Sequence, residues 1–396
     1  MPSPSYSVIQ SPWDRMRALL GNMPPGAEPI DMTIGEPRHP MPDFLMETMA
    51  EAAQGFGQYP PIRGTDALRQ AISTWIQRRY GVQVDPETSI LALNGSREGL
   101  YSAVVPAVER RAGLAKPAVL IPNPFYQCYA AAALAAGTEP VYLPAMRETN
   151  FLPDLDALSG DPALLDRTIA FYLCSPANPQ GTIADVAYLK RALELARTHD
   201  FILFADECYS EIYDDLAPAG ALEVALKHTG SLEHLIVFNS LSKRSNLPGL
   251  RSGFCAGDPR FIADFARFRN VTCPQVPSPI QHASAALWSD EAHVVANRAL
   301  YRAKFDVSDR ILGQRFGYTR PGGAFFLWLN MNQFGGSEAA AVTLWKGCGV
   351  KILPGAYLCH PEPEGPDPGS DYVRVALVHD VQVTEAALTR LVSQLG

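Results

Sequence analysis

The stretch FNSLSKRSNLPGLRSGF, residues 238–254, brings a lysine out of a predicted buried strand. The apolar run LIVF leads directly into it, and a short, nearly continuous apolar run is typical of a strand covered on both faces. Lys243 follows a serine, and Arg251 comes eight residues later, between two glycines. A lysine with these neighbours needs a chemical explanation, which the rest of the chain provides.

Short apolar runs in the middle of the chain predict parallel strands, because each is nearly continuous rather than alternating. Between two of them, Asp185 can cap a helix whose apolar face is formed by Val186, Leu189, Leu193 and Ala196. Strand, helix and strand at this spacing predict an α/β sheet, whose ligands lie beyond the carboxyl ends of the strands. The runs are AVLIP (118–122), TIAFYLCSP (168–176), FILFADE (201–207) and LIVFNS (235–240).

Polar side chains follow three of these predicted strands, at the point where each strand ends. Asn178 follows the first, Asp206 and Tyr209 follow the second, and Lys243 follows the third. We therefore expect them to meet at one edge of the sheet. A buried carboxylate at Asp206 needs a cation, since an unpaired buried charge is costly. Two partners fit: Lys243 in a structural salt bridge, or a bound cofactor with a protonated nitrogen, which we favour.

Composition narrows the class of protein. The chain has 396 residues, of which 47% are hydrophobic and 19% charged, as in ordinary globular proteins. A net charge of −8 without a basic run argues against a nucleic-acid partner. No apolar stretch approaches the roughly 20 residues of a membrane helix, and the N-terminus lacks a signal-peptide core, which favours the cytoplasm. Seven scattered cysteines predict reduced thiols rather than disulfides or a metal site.

The segments SPANPQGT, ADECYSEIY and SLSKRSNLPGLRSGF, in that order, resemble the fold-type I aminotransferases of class I/II, which use pyridoxal phosphate. The resemblance implies an α/β protein with a large, mainly parallel seven-stranded sheet domain (50–280) that binds the cofactor. It also implies a smaller α/β domain built from both chain ends (1–49 and 281–396). Further family-like motifs cover the chain from about 30 to 380: IGEP (34–37), YPPIRGTDALRQAI (59–72), LNGSREGL (93–100), NPFYQCY (123–129), RPGGAFF (320–326), LPGAYL (353–358) and YVRVAL (372–377).

The resemblance also implies roles around the cofactor ring. Lys243 bonds to the cofactor aldehyde and, once released, moves a proton between substrate and cofactor carbons. Asp206 pairs with the ring nitrogen and keeps it protonated, since an opposite charge shifts a pKa by about 1 to 3 units. Asn178 and Tyr209 hydrogen-bond the ring hydroxyl oxygen, and Tyr126 stacks on the ring. The predicted catalytic residues are Lys243, Asp206 and Tyr209.

A second group of predicted cofactor-binding residues serves the phosphate. Ser96 and Arg97 follow Gly95 where a predicted strand meets a helix, a place that favours anions. The hydroxyls of Ser240 and Ser242 and the guanidinium of Arg251 complete this group, because arginine matches phosphate geometry. This explains the serines, glycines and arginine around Lys243. The family pattern brings Tyr59 to the phosphate of the other subunit, which implies a homodimer with shared sites.

The predicted substrate-binding residues are Gly35, Asn178 and Arg374, with Arg374 gripping the α-carboxylate of an amino acid. The segments IGEPRHPMP and NPFYQCY resemble those of the bacterial succinyldiaminopimelate aminotransferases of lysine biosynthesis. These enzymes exchange the amino group with 2-oxoglutarate and glutamate. Arg38 or Arg63 could meet a distal carboxylate, but for each of them we favour solvent-facing charge.

Several alternatives stay open at this point. The same residues suit an aspartate, kynurenine or acetyl-diaminopimelate aminotransferase, or a β-lyase. A cofactor-binding regulator without turnover is a different class, but it would usually lose a catalytic residue. A nicotinamide dehydrogenase would need a GxGxxG turn after a strand, and the sequence contains none.

Overall fold

The structure, a computed structural model, describes residues 10–361, 365 and 367–396. Residues 1–9 lie outside this range; they belong to the predicted small-domain segment and to the N-terminal stretch on which the cytoplasmic prediction partly rests. Within the described residues, no helix combines the length and apolar character needed to cross a membrane.

A seven-stranded sheet forms the centre of the larger part of the molecule, which confirms the predicted fold class. The spatial order is β2-β8-β7-β6-β5-β3-β4, and only β8 runs antiparallel to its neighbours. Cys174 of β5 pairs with Asp206 of β6, which in turn pairs with Phe238 of β7, so these strands end side by side. The strands are β2 (Ile90–Leu93), β3 (Ala118–Asn123), β4 (Glu139–Pro144), β5 (Thr168–Cys174), β6 (Ile202–Asp206), β7 (Leu235–Ser240) and β8 (Gly253–Gly257).

The predicted strands and the predicted helix fall close to their observed bounds. Asp185 caps the helix as expected, accepting a 2.8 Å hydrogen bond from the amide of Tyr188. Leu189, Leu193 and Ala196 are buried, but Val186 is 41% exposed, so its assignment to the apolar face was wrong. The reason is its place in the first helical turn, where both its chain neighbours are also exposed.

Helices cover both faces of this sheet and bury its nearly continuous apolar strands. One face packs on α3, α9, α10 and α13, and the other on α4, α5, α6 and α12. These helices and those between them are α2 (Leu45–Glu51), α3 (Asp66–Tyr80), α4 (Ser96–Ser102), α5 (Val104–Arg110), α6 (Gln127–Ala135), α7 (Leu155–Ser159), α8 (Pro162–Arg167), α9 (Val186–Thr198), α10 (Ala221–Thr229), α11 (Leu241–Arg244), α12 (Pro259–Thr272) and α13 (Ser278–Ser289).

A second hydrophobic core draws on residues near both ends of the chain. Its three-stranded antiparallel sheet has the order β11-β12-β9, and β1 pairs in parallel with β10. The limits 1–49, 50–280 and 281–396 remain a prediction for the two domains. The elements of this part are α1 (Pro12–Leu20), β1 (Ile30–Asp31), α14 (Ala292–Leu312), β9 (Phe326–Asn330), α15 (Gly336–Cys348), β10 (Val350–Lys351), β11 (Leu353–Pro354), β12 (Tyr372–Ala376) and α16 (Val381–Leu395).

Candidate active site

A cavity of about 1450 Å³ lies beyond the carboxyl ends of β5, β6 and β7, between the two cores. This is where an open α/β sheet binds its ligands. Almost all the predicted site residues line it: Gly35, Ser96, Arg97, Tyr126, Asn178, Asp206, Tyr209, Ser240, Ser242, Lys243, Arg251 and Arg374. The site residues predicted from the sequence therefore lie together around one cavity.

Lys243 lies on α11, the short helix that starts directly after β7. Its Nζ donates a 2.8 Å hydrogen bond to the backbone carbonyl of Gly35. No carboxylate among the described residues lies within 4.0 Å of this nitrogen. Burial disfavours the charged amine and lowers the pKa of Lys243 to about 8. A sizeable fraction of the amine is therefore neutral near pH 8 and able to act as a nucleophile or base.

Asp206 ends β6 and is only 5% exposed. Its Oδ2 accepts a 2.6 Å hydrogen bond from the hydroxyl of Tyr129, and its Oδ1 accepts one of 3.2 Å from the amide of Cys208. Burial raises the pKa of this carboxyl. The structure forms no ion pair between Asp206 and Lys243, so the alternative of a plain structural salt bridge is not what these side chains adopt.

Arg374 lies on β12, the central strand of its sheet, and is 4% exposed. Its two Nη atoms donate to Oδ1 of Asn178 at 2.8 Å and to the carbonyl of Thr33 at 2.6 Å. Its Nε is buried without a partner, and no carboxylate of the described residues pairs with the guanidinium. Burial lowers the pKa of Arg374 to about 10. A buried cation with an unused donor favours an incoming carboxylate.

Arg251 approaches the loop between β2 and α4 and donates a 3.1 Å hydrogen bond to the carbonyl of Asn94. A Cβ at Gly95, where φ is +76°, would collide with the Arg251 guanidinium. A Cβ at Gly253 would come within 3.1 Å of Ser240 Cβ and 3.2 Å of the Ser96 amide nitrogen. Only glycine at these two positions lets the arginine and the two serines converge on one end of the cavity.

Aromatic side chains form a further wall of the cavity. The Tyr129 ring stacks parallel to Tyr172 at 4.3 Å and meets Tyr126 edge-on at 5.6 Å. The hydroxyl of Tyr126 accepts a short hydrogen bond from Nε of Arg97. Tyr209 is buried, and Nζ of Lys243 lies 5.9 Å from the centre of its ring.

Some predicted residues lie away from this cavity. Tyr59 is 99% exposed. Arg38 contacts the ring of His379, and Arg63 donates to the carbonyl of Glu87 at 2.7 Å. None of these three lines the cavity of its own chain.

Sequence reasoning also missed two contacts at the site. Tyr129, the partner of Asp206, stands in the NPFYQCY motif, but only Tyr126 was given a role there. Phe326, in RPGGAFF, lies 4.5 Å from the guanidinium of Arg374 and packs so closely on Gly35 that a Cβ there would come within 2.8 Å. Both residues stand in motifs that resemble the family, and that position was the only available signal.

The chain belongs to the class I and II aminotransferases, a family that matches residues 27–391. An LL-diaminopimelate aminotransferase of Dehalococcoides mccartyi is 30% identical over 371 residues, which are 92% of this chain and 91% of that protein. An LL-diaminopimelate aminotransferase of Desulforudis audaxviator is 31% identical over 377 residues, 94% of this chain and 91% of that protein.

Solved structures agree with this assignment. The crystal structure of an aminotransferase from Neisseria meningitidis has a TM-score of 0.91 and 38% identity, and the match covers 97% of each chain. A probable N-succinyldiaminopimelate aminotransferase from Thermus thermophilus has a TM-score of 0.83 and 25% identity, covering 98% of this chain and 100% of that one.

Enzymes of this family depend on pyridoxal phosphate, and the donor set of the cavity fits that cofactor. A buried carboxylate without a cation suits a protonated ring nitrogen, and Asp206 is such a group. The cradle of Arg251, Ser96 and Ser240, which any Cβ at Gly95 or Gly253 would fill, suits a phosphate. The amine of Lys243 suits an aldehyde. The residues present therefore match the ring, the phosphate and the reactive carbon of one molecule.

Proposed function

We propose that this aminotransferase moves an amino group between N-succinyl-L,L-2,6-diaminopimelate and 2-oxoglutarate in lysine biosynthesis, forming glutamate. The observation that carries the reaction is the meeting of Lys243, Asp206 and Arg374 in one cavity. The names of the relatives support a diaminopimelate-type substrate. The volume of about 1450 Å³ supports a long substrate that is held at one end by Arg374.

The names of the sequence relatives favour a second candidate, unmodified LL-diaminopimelate. The two substrates differ in charge at the distal end, because succinylation removes one ammonium and adds one carboxylate. We rank aspartate, kynurenine and acetyl-diaminopimelate below these two candidate substrates.

The position of each residue in the cavity determines its role in the proposed mechanism. Arg374, oriented by Asn178, binds the substrate carboxylate and fixes the α-carbon near Lys243. The neutral amine of Lys243 takes the proton from that carbon and returns a proton at the next stage. Pyridoxal phosphate supplies the electron sink for this chemistry when bound. Asp206, held by Tyr129, would favour the proton on the ring nitrogen, and Asn178 and Tyr209, which line the same cavity, would hydrogen-bond the ring hydroxyl.

Ser96, Arg97, Ser240, Ser242 and Arg251 would hold the phosphate, and Tyr126 would stack on the ring. We also propose a homodimer in which Tyr59 of the partner subunit completes the phosphate site, because this side chain is 99% exposed in a single chain. All seven cysteines are unpaired, which suits the reducing cytoplasm that we propose as its compartment.

A half-reaction with each candidate amine tests this function. The holoenzyme is mixed separately with N-succinyl-diaminopimelate, LL-diaminopimelate, glutamate, aspartate and kynurenine, and the visible band of the bound cofactor is followed. We expect rapid loss of the band with the succinylated compound and glutamate. Faster loss with unmodified LL-diaminopimelate would select the second candidate, and loss with aspartate or kynurenine alone would discard both.

A further inference from the structure

A buried lysine outside the proposed chemistry lies in the second core. Lys304, on α14, is 1% exposed, and no carboxylate of the described chain is within 4.0 Å of its amine. Its Nζ donates to the carbonyl of Leu377 at 2.9 Å and lies 2.6 Å from Nε2 of His39. Burying an amine without a carboxylate partner costs free energy of folding, so the hydrogen bonds that hold Lys304 in place call for an explanation.

The contacts of Lys304 continue in one direction towards the active site. Nδ1 of His39 lies 2.6 Å from Oδ1 of Asn297, whose Nδ2 donates to the backbone carbonyl of Lys243 at 3.4 Å. All of these bonds are satisfied together when His39 is neutral, with its proton on Nδ1 and its Nε2 accepting from Lys304. Burial and the nearby Lys304 lower the pKa of His39 to about 4, in agreement with that neutral ring.

An aromatic stack runs beside this hydrogen-bonded chain. The ring of Tyr301 lies 4.5 Å from that of His39 and stacks on Phe325 at 5.3 Å. Nζ of Lys243 lies 5.7 Å from the centre of the Phe325 ring. The amide of Leu377 donates to the carbonyl of Phe325 at 2.9 Å, which closes the connection. The backbone carbonyl of Lys243 thus accepts a hydrogen bond from Asn297, and its Nζ lies near the ring of Phe325. Both of these residues connect to Lys304 through the contacts described above.

We propose that Lys304, His39 and Asn297 form a positioning relay that fixes the backbone of Lys243 relative to the segment that carries Arg374. Leu377 follows Arg374 by three residues, so the relay links the backbone of Lys243 to the backbone just after the carboxylate-binding arginine. None of the three relay residues touches the reacting atoms. This role rests on the proposed function of Lys243 and Arg374.

The main test compares Lys304→Met with Ser308→Ala in the holoenzyme. Methionine keeps an unbranched apolar side chain but loses both donated hydrogen bonds. Ser308 is buried one turn further along α14, and its hydroxyl bonds only to the carbonyl of Lys304 within the helix. The control thus removes a buried hydrogen bond of the same helix without opening the relay.

We expect kcat of Lys304→Met to fall about tenfold or more, because a small misplacement of a catalytic group slows its step. The isotope effect with α-deuterated glutamate should rise, since proton transfer by Lys243 becomes more rate-limiting. Hydrogen exchange of residues 241–247 should accelerate. Ser308→Ala should change none of these. An unchanged isotope effect together with unchanged exchange at 241–247 would overturn the relay.

Asn297→Ala gives a second route should Lys304→Met fail to fold. It frees the carbonyl of Lys243 while leaving the amine of Lys304 in place, and we expect the same rise in isotope effect. The double variant should be no slower than the worse single variant, because residues of one network are not additive. Additive losses would contradict the proposal. The exchange measurement stays informative if the amino-transfer assignment itself is wrong, so the two failures can be told apart.

Discussion

The hydroxyl of Tyr129 donates a 2.6 Å hydrogen bond to Oδ2 of Asp206, and both residues are buried. The parallel stack on Tyr172, at 4.3 Å, holds the phenol ring in place. The amide of Cys208 occupies the other carboxylate oxygen at 3.2 Å. Among the described residues, the hydrogen bonds to Asp206 come from neutral donors and no cation lies within 4.0 Å, so its charge remains available for a cation that enters the cavity.

Tyr129→Phe should weaken cofactor binding. The change leaves a buried carboxylate oxygen without its donor, which costs about 1–3 kcal/mol, or about a 5- to 150-fold rise in the cofactor dissociation constant. Titration of the cofactor-free protein with pyridoxal phosphate measures this dissociation constant. Tyr172→Phe is the matched control, because its hydroxyl donates instead to the carbonyl of Leu100. Both variants keep the ring stack, so equal losses in the two would show that the bond to Asp206 is not the cause.

Arg374→Gln should raise KM for the amino donor and the oxo acid together. The variant loses a charge-assisted grip on the carboxylate, worth about 1.5–3 kcal/mol, which corresponds to about 10- to 100-fold. The melting temperature should not fall, because the guanidinium is buried without a carboxylate partner in the described structure. Arg390→Gln, which removes a donor to the carbonyl of Glu28, is the control and should keep both KM values. An unchanged KM for either substrate in Arg374→Gln would refute the grip.

The rate at which the cofactor-free protein captures pyridoxal phosphate should depend on the pKa of Lys243. Burial lowers this pKa to about 8 from the ordinary value of 10.5, so the reactive neutral amine dominates above about pH 8. Below that point the neutral fraction, and with it the capture rate, should fall about tenfold per pH unit. Stopped-flow mixing between pH 6 and 10 checks the profile. A rate that keeps rising beyond pH 9.5 would mean an unshifted lysine.

A mixing experiment tests whether Tyr59 serves the other subunit. Lys243→Ala and Tyr59→Ala should each have little activity as pure proteins. If they are co-expressed, a mixed dimer has one site with an intact Lys243 and an intact Tyr59 from the partner subunit. We expect the mixed dimer to recover up to about half the activity of the wild-type dimer, because one of its two sites is complete. No recovery in a purified mixed dimer would place Tyr59 in its own subunit's site, or in none.

The sequence was sufficient to predict a mainly parallel α/β sheet and most of the residues that line the cavity. The carboxyl ends of neighbouring parallel strands must meet, so Asn178, Asp206 and Lys243 could be brought together from their positions after apolar runs. The glycines and serines near Lys243 followed from the family resemblance, and the structure gives a steric reason for Gly95 and Gly253.

Side-chain partners were harder to predict, because they depend on packing between distant segments. The relay joins residues 39, 297 and 304 to the carbonyls at 243 and 377, and no local pattern marks such a set. The donor to Asp206 was also missed, since two tyrosines of one motif differ only in which way their rings turn. The role of Tyr59 at the partner subunit's phosphate site stays a prediction, and its ring is exposed in the single chain.

The most direct test of the central claim identifies the lysine that holds the cofactor. The holoenzyme is reduced with borohydride, digested, and the peptide that carries the reduced cofactor is sequenced by mass spectrometry. The account predicts modification at Lys243 and at no other lysine. Modification at Lys304, a buried lysine whose pKa is also lowered, or at a surface lysine would contradict it.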